Sequence, residues 1–206
     1  MENSLWKVLK NGEKRVIGKY RHLVSAVIIG IVKFDKKDYI IFEKRALNIR
    51  QGGEISFPGG KYESTDMDTK HTALRETVEE LGIECTKIQM LGKFGTLVNP
   101  SGVILDVYVA KIDIKDPSEI KYNSDEVEKI IFVPVEFFME NLPRVEKIGL
   151  ENIPYFSIEK FSLPKRYEKS WSGRAREVYF YSYGGEIIWG ITAEIIYEFV
   201  KILKKR

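Results

Sequence analysis

The chain has a single cysteine, two histidines and no apolar run long enough to cross a bilayer. Because Cys85 has no partner, an internal disulfide is excluded, and a reducing, cytoplasmic setting is expected. A structural zinc site is not expected, since the other soft ligands are only His22 and His71. The longest nearly uncharged apolar run, residues 23–32, is too short for a membrane span, and the first residues lack the apolar core of a signal peptide.

Neither sign of charge dominates the composition. The 33 Lys and Arg against 30 Asp and Glu leave a net charge of +3, which is too small to indicate a nucleic-acid partner by itself. An apolar content of 44% and a charged content of 31% are typical of globular proteins, and 206 residues can bury a substantial core. We therefore expect neither nucleic acid nor a membrane as a partner, whereas a homodimer is compatible with the sequence.

The hydrophobic pattern predicts a mixture of strands and helices. Strands are predicted over residues 22–34, 39–44, 87–98, 103–112 and 129–133, and helices over 134–140 and about 186–204. Residues 1–20 are expected to form a helix or hairpin with a small apolar patch at Leu5, Trp6, Val8 and Leu9. Residues 141–180 have no clean period and predict a loop-rich region that is a candidate substrate wall. No domain boundary is visible, so one domain over 1–206 is expected, with a core at about 22–142 and a C-terminal extension ending in the last helix.

Residues 59–83 place an unusual amount of negative charge on one predicted helix. At ~100° per residue, Arg75, Glu76, Glu79 and Glu80 fall within an arc of roughly 140°, while Leu74, Val78 and Leu81 fall opposite. Like charges four residues apart destabilise a helix by about 0.2–0.5 kcal/mol. A divalent cation among the carboxylates would explain the pattern, because hard cations take oxygen ligands. The plain alternative is a solvated acidic face.

The same stretch resembles the Nudix box, G-x5-E-x7-R-E-U-x-E-E-x-G-U, where U is aliphatic. The matching positions are Gly60, Arg75, Glu76, Glu79, Glu80, Gly82 and Ile83. The chain departs from the pattern at Asp66, which stands where Glu is usual and is separated from Arg75 by eight residues rather than seven. Thr77 also takes an aliphatic position. Phe57 to Gly60 is expected to be a loop before the helix, and Gly82 is expected to end the helix.

The loop before the box resembles a second signature, found in coenzyme A pyrophosphatases, which begins L-L-T-x-R and ends F-P-G-G. The residues assigned to it are Ile40, Ile41, Arg45, Ala46, Arg50, Gly53, Phe57, Pro58, Gly59 and Gly60. Phe42 is placed in the threonine position, and one residue is missing between Arg50 and Gly53. The Asp66 spacing is also familiar from that subfamily, and residues 188–193 resemble its W-G-x-T-A segment, which we interpret as structural.

The resemblance implies a Nudix-type α/β/α sandwich with a mixed β-sheet that binds Mg²⁺ or Mn²⁺. The implied metal ligands are the carboxylates of Glu76, Glu79 and Glu80 and the backbone carbonyl of Gly59. Arg75 would pair with the box carboxylates and hold their rotamers. Two carboxylates are candidates for the general base, Glu79 and Glu126. Glu126 precedes a predicted strand that ends in Val-Pro, and it could equally be an ordinary surface carboxylate.

The expected substrate contacts are Arg45, Arg50 and Ser101, the last in the turn between two predicted strands. Guanidinium groups bind phosphate through paired hydrogen bonds, although two solvated surface arginines would look the same in sequence. The resemblance implies hydrolysis of coenzyme A or its thioesters to 3′,5′-ADP and 4′-phosphopantetheine. Two alternatives stay open at this point. One is a Nudix pyrophosphatase acting on ADP-ribose, NADH or dinucleoside polyphosphates, and the other is a non-catalytic nucleotide-binding module.

Overall fold

The computed structural model of the protein describes residue 16 and residues 18–205, so the apolar patch predicted near the N-terminus lies outside the described residues. The strands are β1 Leu23–Phe34, β2 Lys37–Arg45, β3 Ile55–Ser56, β4 Gly59–Lys61, β5 Ile88–Asn99, β6 Val103–Ile112, β7 Val127–Pro134, β8 Arg144–Ile148, β9 Glu151–Asn152, β10 Trp171–Ser172, β11 Arg176–Tyr183 and β12 Glu186–Trp189. The α-helices are α1 Thr69–Leu81, α2 Val135–Glu140 and α3 Gly190–Leu203. None of the helices in this part of the chain is long and apolar enough to span a membrane.

The large sheet is mixed and is centred on β1. Its strand order is β3-β2-β1-β6-β5, with β4 also paired to β1 and β7 also paired to β2. Only the pairing of β1 with β6 is parallel among the described strands. Strand β1 is apolar on both faces, with Ile28 and Ile29 fully buried, as expected for the centre of a sheet covered on both sides.

Helical layers cover both faces of this sheet. On one face, which we call the α1 layer, Ala73 and Leu81 of α1 pack in one apolar cluster with Ile28 and Ile41. On the other face, the α3 layer, Ile196 of α3 packs in a second cluster whose further members include Phe42, Phe138 and Tyr181. Because side chains alternate along a strand, consecutive residues of β2 enter different layers.

The C-terminal prediction is wrong at its start, because the helix begins at Gly190 rather than about residue 186. Residues 186–189 form β12, which pairs with β11 through Tyr183 opposite Glu186. Gly184 and Gly185 both have positive φ angles, 59° and 83°, which is the backbone of a tight two-residue hairpin turn. The apolar run that suggested a helix therefore lies in a strand, with Ile188 buried and Ile187 exposed.

Two predicted loops contain strands. Residues 59–61 form β4 and pair with β1 through Ala26 opposite Gly60, so the segment before α1 is held to the sheet. Residues 141–180 contain the short β8, β9 and β10 and the start of β11, which pairs with β8. The predicted hairpin of β1 and β2 is confirmed, but β2 begins at Lys37, because Asp35 and Lys36 both adopt positive φ and make the turn.

Candidate functional site

Helix α1 is capped by Asp68 at its N-terminus and by the predicted Gly82 at its C-terminus. The side chain of Asp68 accepts a hydrogen bond from the backbone amide of His71 and caps the N-terminus. Gly82 has a φ of 59° and ends the helix in the left-handed conformation, with its amide donating to the carbonyl of Val78. A β-carbon at Gly82 would collide with the carbonyl oxygen of Lys121, so a larger residue cannot replace it without movement of the backbone.

The carboxylates of α1 do not share one solvated face. The side chain of Glu79 is 55% exposed and that of Glu76 is 17% exposed, whereas Glu80 is buried with 4% exposure. Thr77 is fully buried and satisfies its hydroxyl by donating to the carbonyl of Ala73 at 2.7 Å, which explains how it fits in an aliphatic position. An acidic face that served only solubility would not bury Glu80.

Arg75 contacts three carboxylates. Its Nε and Nη2 donate to Asp66 at 3.0 and 3.1 Å in a paired arrangement. Its Nη2 is also 3.0 Å from Glu76 Oε1, and its Nη1 is 3.2 Å from Glu79 Oε2. The guanidinium group therefore links the loop before α1 to two carboxylates of the helix and fixes their rotamers, because charge-assisted paired bonds are the strongest available to side chains.

Asp66 anchors this arrangement despite the unusual spacing before Arg75. Its buried carboxylate also accepts hydrogen bonds from the backbone amide of Glu63, the hydroxyl of Thr72 and the ring of His71. The hydrogen bonds from Arg75 are the main reason that the pKa of Asp66 is held well below its ordinary value. The shorter side chain and the extra residue thus still deliver a carboxylate to Arg75.

The buried end of the site holds two acidic side chains in contact, Glu80 of α1 and Glu43 of β2. Glu80 Oε2 accepts a hydrogen bond of 2.8 Å from the backbone amide of Gly59. Glu43 is 0% exposed, and its Oε1 accepts a bond of 3.0 Å from the hydroxyl of Ser56. Burial raises the pKa of Glu43 to about 7, and burial followed by the neighbouring Glu43 raises the pKa of Glu80 well above its ordinary value.

Gly59 and Gly60 bring the backbone of β4 against these carboxylates. Gly59 has a φ of 142°, and a β-carbon there would collide with the carbonyl oxygen of Ala26. A β-carbon at Gly60 would occupy the space of the Glu76 carboxyl group. Burial raises the pKa of Glu76, with Arg75 acting in the opposite direction. The glycines therefore allow Glu76 and the main chain to approach each other closely.

Glu126 lies near the same carboxylates, on the loop before β7. Its side chain is exposed, and its charge raises the pKa of both Glu43 and Glu76. Its backbone carbonyl accepts a hydrogen bond of 2.8 Å from the amide of Ala46, which ties the loop to the end of β2. The structure thus brings together both predicted general-base candidates, Glu79 and Glu126, around Glu76.

The three predicted substrate contacts are less closely gathered. Arg45 lies at the end of β2, where its Nε donates to the carbonyl of Arg50 at 3.3 Å and its Nη1 is 3.5 Å from Glu43 Oε1. The side chain of Arg50 is exposed. Ser101 lies in the turn between β5 and β6, where its hydroxyl and amide both donate to the side chain of Asn99. Arg45 is therefore the predicted contact that directly adjoins the buried carboxylates.

Glu43 is the site residue that the sequence reasoning missed. The signature T-x-R places its threonine two residues before the arginine, so counting back from Arg45 assigns that position to Glu43. The assignment of Phe42 to it is wrong by one residue. A charged residue inside the apolar run of β2 was the available signal, because a buried central strand rarely carries a carboxylate without a function.

The donor chemistry suits a hard divalent cation. Glu76 and Glu80 supply carboxylate oxygens next to the main chain of Gly59, and the buried Glu43 Oε2 has no hydrogen-bond donor. Within residues 16 and 18–205, no three acidic, histidine or cysteine side chains already stand at the spacing that would hold an ion. Glu76 and Glu79 are instead directed to Arg75.

Comparison with known proteins bears on the same part of the chain. The family model of the NUDIX domain matches residues 22–156. An uncharacterized Nudix hydrolase, NudL, from Photorhabdus laumondii is 29% identical over 187 residues, covering 90% of this chain and 86% of that protein. The human mitochondrial coenzyme A diphosphatase NUDT8 is 29% identical over 173 residues, covering 83% of this chain and 65% of that protein.

A solved structure supports the fold. The crystal structure of a MutT/nudix family protein from Enterococcus faecalis matches 98% of this chain and 71% of that chain with a TM-score of 0.51 and 17% identity. At this identity the likeness concerns the fold alone. Together with the mixed sheet between two helical layers, it confirms the predicted α/β class and α/β/α arrangement.

Proposed function

The chain belongs to the Nudix family and is a pyrophosphohydrolase, and we propose that it hydrolyses coenzyme A or its thioesters. The products would be 3′,5′-ADP and 4′-phosphopantetheine, and the reaction would use a bound divalent cation. The observation that carries the proposal is the buried carboxylate of Glu80, bonded to the Gly59 amide, together with the carboxylate of Glu76, which Arg75 holds. A family fold that had lost catalysis would not need to retain this arrangement.

The residues proposed to hold the cation are Glu76, Glu79 and Glu80 with the backbone carbonyl of Gly59. A bound Mg²⁺ or Mn²⁺ polarises a phosphoryl oxygen and lowers the pKa of bound water. The close approach of β4 to Glu76, which the glycines permit, supports a main-chain ligand at this point. Arg75 is proposed as a positioning residue, because it contacts Glu76 and Glu79 and is itself held by the buried Asp66.

The proposed general base is Glu79 or Glu126, since both are exposed carboxylates near Glu76. A base must lie within hydrogen-bonding reach of the water it deprotonates, and its loss typically lowers turnover by about 10²–10⁴-fold. Glu79→Gln and Glu126→Gln, assayed separately across pH, distinguish them. The variant of the true base loses the acidic limb of its pH–rate profile, whereas the variant of the other residue retains it.

The proposed contacts with the phosphates of the substrate are Arg45 and Arg50, with Ser101 as a further contact. Coenzyme A carries a pyrophosphate and a 3′-phosphate, so several cationic contacts are needed. The position of Arg45 at the end of β2, where it pairs with the buried Glu43, supports this role. The hydrogen bond from Arg45 Nε to the carbonyl of Arg50 holds the backbone of Arg50 close to the Arg45 side chain.

A panel of substrates with Mg²⁺ and chromatographic identification of products tests the proposal. Coenzyme A, an acyl-coenzyme A, ADP-ribose, NADH and a dinucleoside polyphosphate would be compared at equal concentration. We expect the highest kcat/KM for coenzyme A or its thioester, with 3′,5′-ADP among the products. A clear preference for ADP-ribose, NADH or a dinucleoside polyphosphate would contradict the substrate assignment, and metal-independent binding without turnover of any of them would contradict catalysis.

We also propose that residues 1–206 act as one domain in the cytoplasm. The C-terminal part supports this, because Ile196 and Phe199 of α3 belong to the same apolar cluster as Phe42 of β2. The single cysteine, which is exposed, suits a reducing compartment.

A further inference from the structure

Strand β2 carries a carboxylate that the proposed set of metal ligands does not use. Ile41 belongs to the apolar cluster of the α1 layer, so Glu43, two residues further along the strand, enters the same layer. Glu43 is 0% exposed and its carboxyl group contacts that of Glu80, which comes from α1. Two rigid elements, a central strand and a capped helix, therefore each deliver one buried carboxylate to the same point.

The hydrogen-bond partners of Glu43 are incomplete. Ser56 donates to Oε1 at 3.0 Å, whereas Oε2 is buried and has no donor in the described part of the chain. A buried carboxylate that lacks a compensating charge is strongly unfavourable, and a second carboxylate in contact adds repulsion. A group placed in this way in the centre of a sheet needs either a proton or a cation to offset its charge.

Among the described residues, Arg45 is the cation paired with Glu43, and this pairing does not offset the charge of Glu43 fully. Its Nη1 is 3.5 Å from Glu43 Oε1, which is longer than a charge-assisted hydrogen bond, and its Nε is already engaged by the carbonyl of Arg50. Arg45 also contacts Oε1, the same oxygen that accepts the hydrogen bond from Ser56. Oε2 therefore has no hydrogen-bond partner among the described residues. A small cation that binds carboxylate oxygens would offset the charge that remains on Glu43.

We propose that Glu43 is an additional ligand of the divalent cation, and that it joins Glu80 across the interface between β2 and α1. The chemical class is a hard cation such as Mg²⁺ or Mn²⁺, because every donor at this point is an oxygen. The inference rests on the proposed function for the presence of the cation. It extends that function by placing one ligand on the sheet rather than on the box helix.

A purely structural role for the pair makes a different prediction. If Glu43 and Glu80 only form a neutralised pair within the core, then replacing Glu43 by its neutral isostere leaves the affinity for metal unchanged. If Glu43 is a ligand, the same replacement weakens metal binding even though it relieves the repulsion in the metal-free protein. The structural role and the ligand role can therefore be distinguished by measuring how stability depends on metal, an experiment that needs no substrate.

The test measures Mn²⁺ binding by isothermal titration calorimetry and thermal unfolding with and without Mg²⁺, using the full chain. For Glu43→Gln we expect a metal-free Tm equal to or above that of the parent. We expect Mn²⁺ affinity to fall by about tenfold or more, and the Mg²⁺-dependent rise in Tm to shrink accordingly. Parental affinity, parental stoichiometry and an unchanged rise in Tm would overturn the proposal.

Two further variants keep the result interpretable. Glu136→Gln removes an exposed carboxylate of α2 and should retain the parental affinity for Mn²⁺. Glu43→Asp keeps the negative charge on a side chain that is one methylene group shorter. This variant replaces Glu43→Gln in the test if Glu43→Gln does not fold. A folded Glu43→Asp variant is expected to bind Mn²⁺ more weakly than the parent, and parental affinity in it would also overturn the proposal.

Failure of this inference can be told apart from failure of the proposed function. If the parent hydrolyses coenzyme A while Glu43→Gln binds Mn²⁺ as the parent does, only the role of Glu43 is refuted. If the parent does not hydrolyse coenzyme A but binds Mn²⁺ in a manner that depends on Glu43, the metal ligand is supported and the substrate is refuted.

Discussion

The two layers that cover the large sheet are built from different kinds of side chain. The α1 layer buries most of the polar and charged groups that are hidden in the described chain, namely Glu43, Asp66, Thr72, Thr77 and Glu80. The α3 layer is packed with aromatic rings, and Phe138 alone contacts Phe42, Phe137 and Tyr181 at centroid distances of 5.1–6.0 Å. The α1 layer combines an apolar cluster with buried charge, whereas the buried cluster of the α3 layer is apolar throughout.

Two adjacent residues of β2 show this division most directly. Phe42 enters the α3 layer, and Glu43 enters the α1 layer, although both are 0% exposed. Burial of a large apolar side chain is worth about 1.5–3 kcal/mol, whereas a buried carboxylate with an unpaired oxygen is unfavourable. The fold therefore confines its buried carboxylates to one face of the sheet and packs its large aromatic side chains against the other. Substitutions on the two faces should therefore have opposite consequences.

The largest effect is expected for Glu80→Gln in the α1 layer. Since a catalytic cation supplies several kcal/mol of transition-state stabilisation, turnover should fall by roughly a thousandfold. The free energy of unfolding without metal should stay equal or rise, because the repulsion with Glu43 is removed. Steady-state kinetics with Mg²⁺ and a metal-free thermal melt measure the two quantities, and near-parental turnover would show that the metal assignment is wrong.

Phe138→Ala should have the next largest effect and the reverse pattern. Removing this ring, which is 1% exposed, leaves a cavity and should lower the free energy of unfolding by about 3–5 kcal/mol. Below the midpoint of unfolding, kcat and the affinity for Mn²⁺ should be close to parental values. Denaturant unfolding and calorimetry check this, and a loss of metal affinity in the folded variant would break the division between layers.

A smaller effect is expected for Arg75→Gln, which sharpens the comparison within the α1 layer. The variant loses the bonds to Asp66, Glu76 and Glu79 but leaves the buried pair in place. We expect turnover to fall by about 10–100-fold, as for other residues that orient metal ligands. Arg75→Lys should recover little, because an ammonium group cannot make the paired contact with Asp66. Full recovery of turnover in Arg75→Lys would show that the positive charge at this position matters and that the paired geometry of the guanidinium group does not.

The smallest effect concerns pH and Asp66. Its pKa in the folded protein lies below the ordinary value of 3.8, chiefly because Arg75 donates to it. The folded state therefore binds fewer protons, so the stabilisation is present above that value and is lost as the pH falls through the folded pKa. Acid unfolding of the parent should be steeper than that of Asp66→Asn. Equal slopes would show that the Arg75 contact does not contribute to stability in acid.

Much of this arrangement could be predicted from local sequence. The box residues specify α1, the left-handed stop at Gly82 and the contacts of Arg75 with Glu76 and Glu79, since all of these depend on spacing along one helix. The depth of Glu80 could not be predicted, because a helical wheel gives direction but not distance from the sheet. That depth depends on how β4 and β2 pack beneath α1. Residues 186–189 were predicted as helix because Ile187, Ile188 and Trp189 suit either structure until Gly184 and Gly185 are read as a turn.

Locating the metal in a crystal tests the proposed metal site directly. Crystals of the full chain grown or soaked with Mn²⁺ would be measured at a wavelength where manganese scatters anomalously. We expect an anomalous peak at about 2.0–2.6 Å from carboxylate oxygens of Glu80 and Glu76, on the α1 side of the sheet, with Glu43 as a further ligand. A peak elsewhere, or none at saturating Mn²⁺ while Glu76 stays bonded to Arg75, would contradict this expectation.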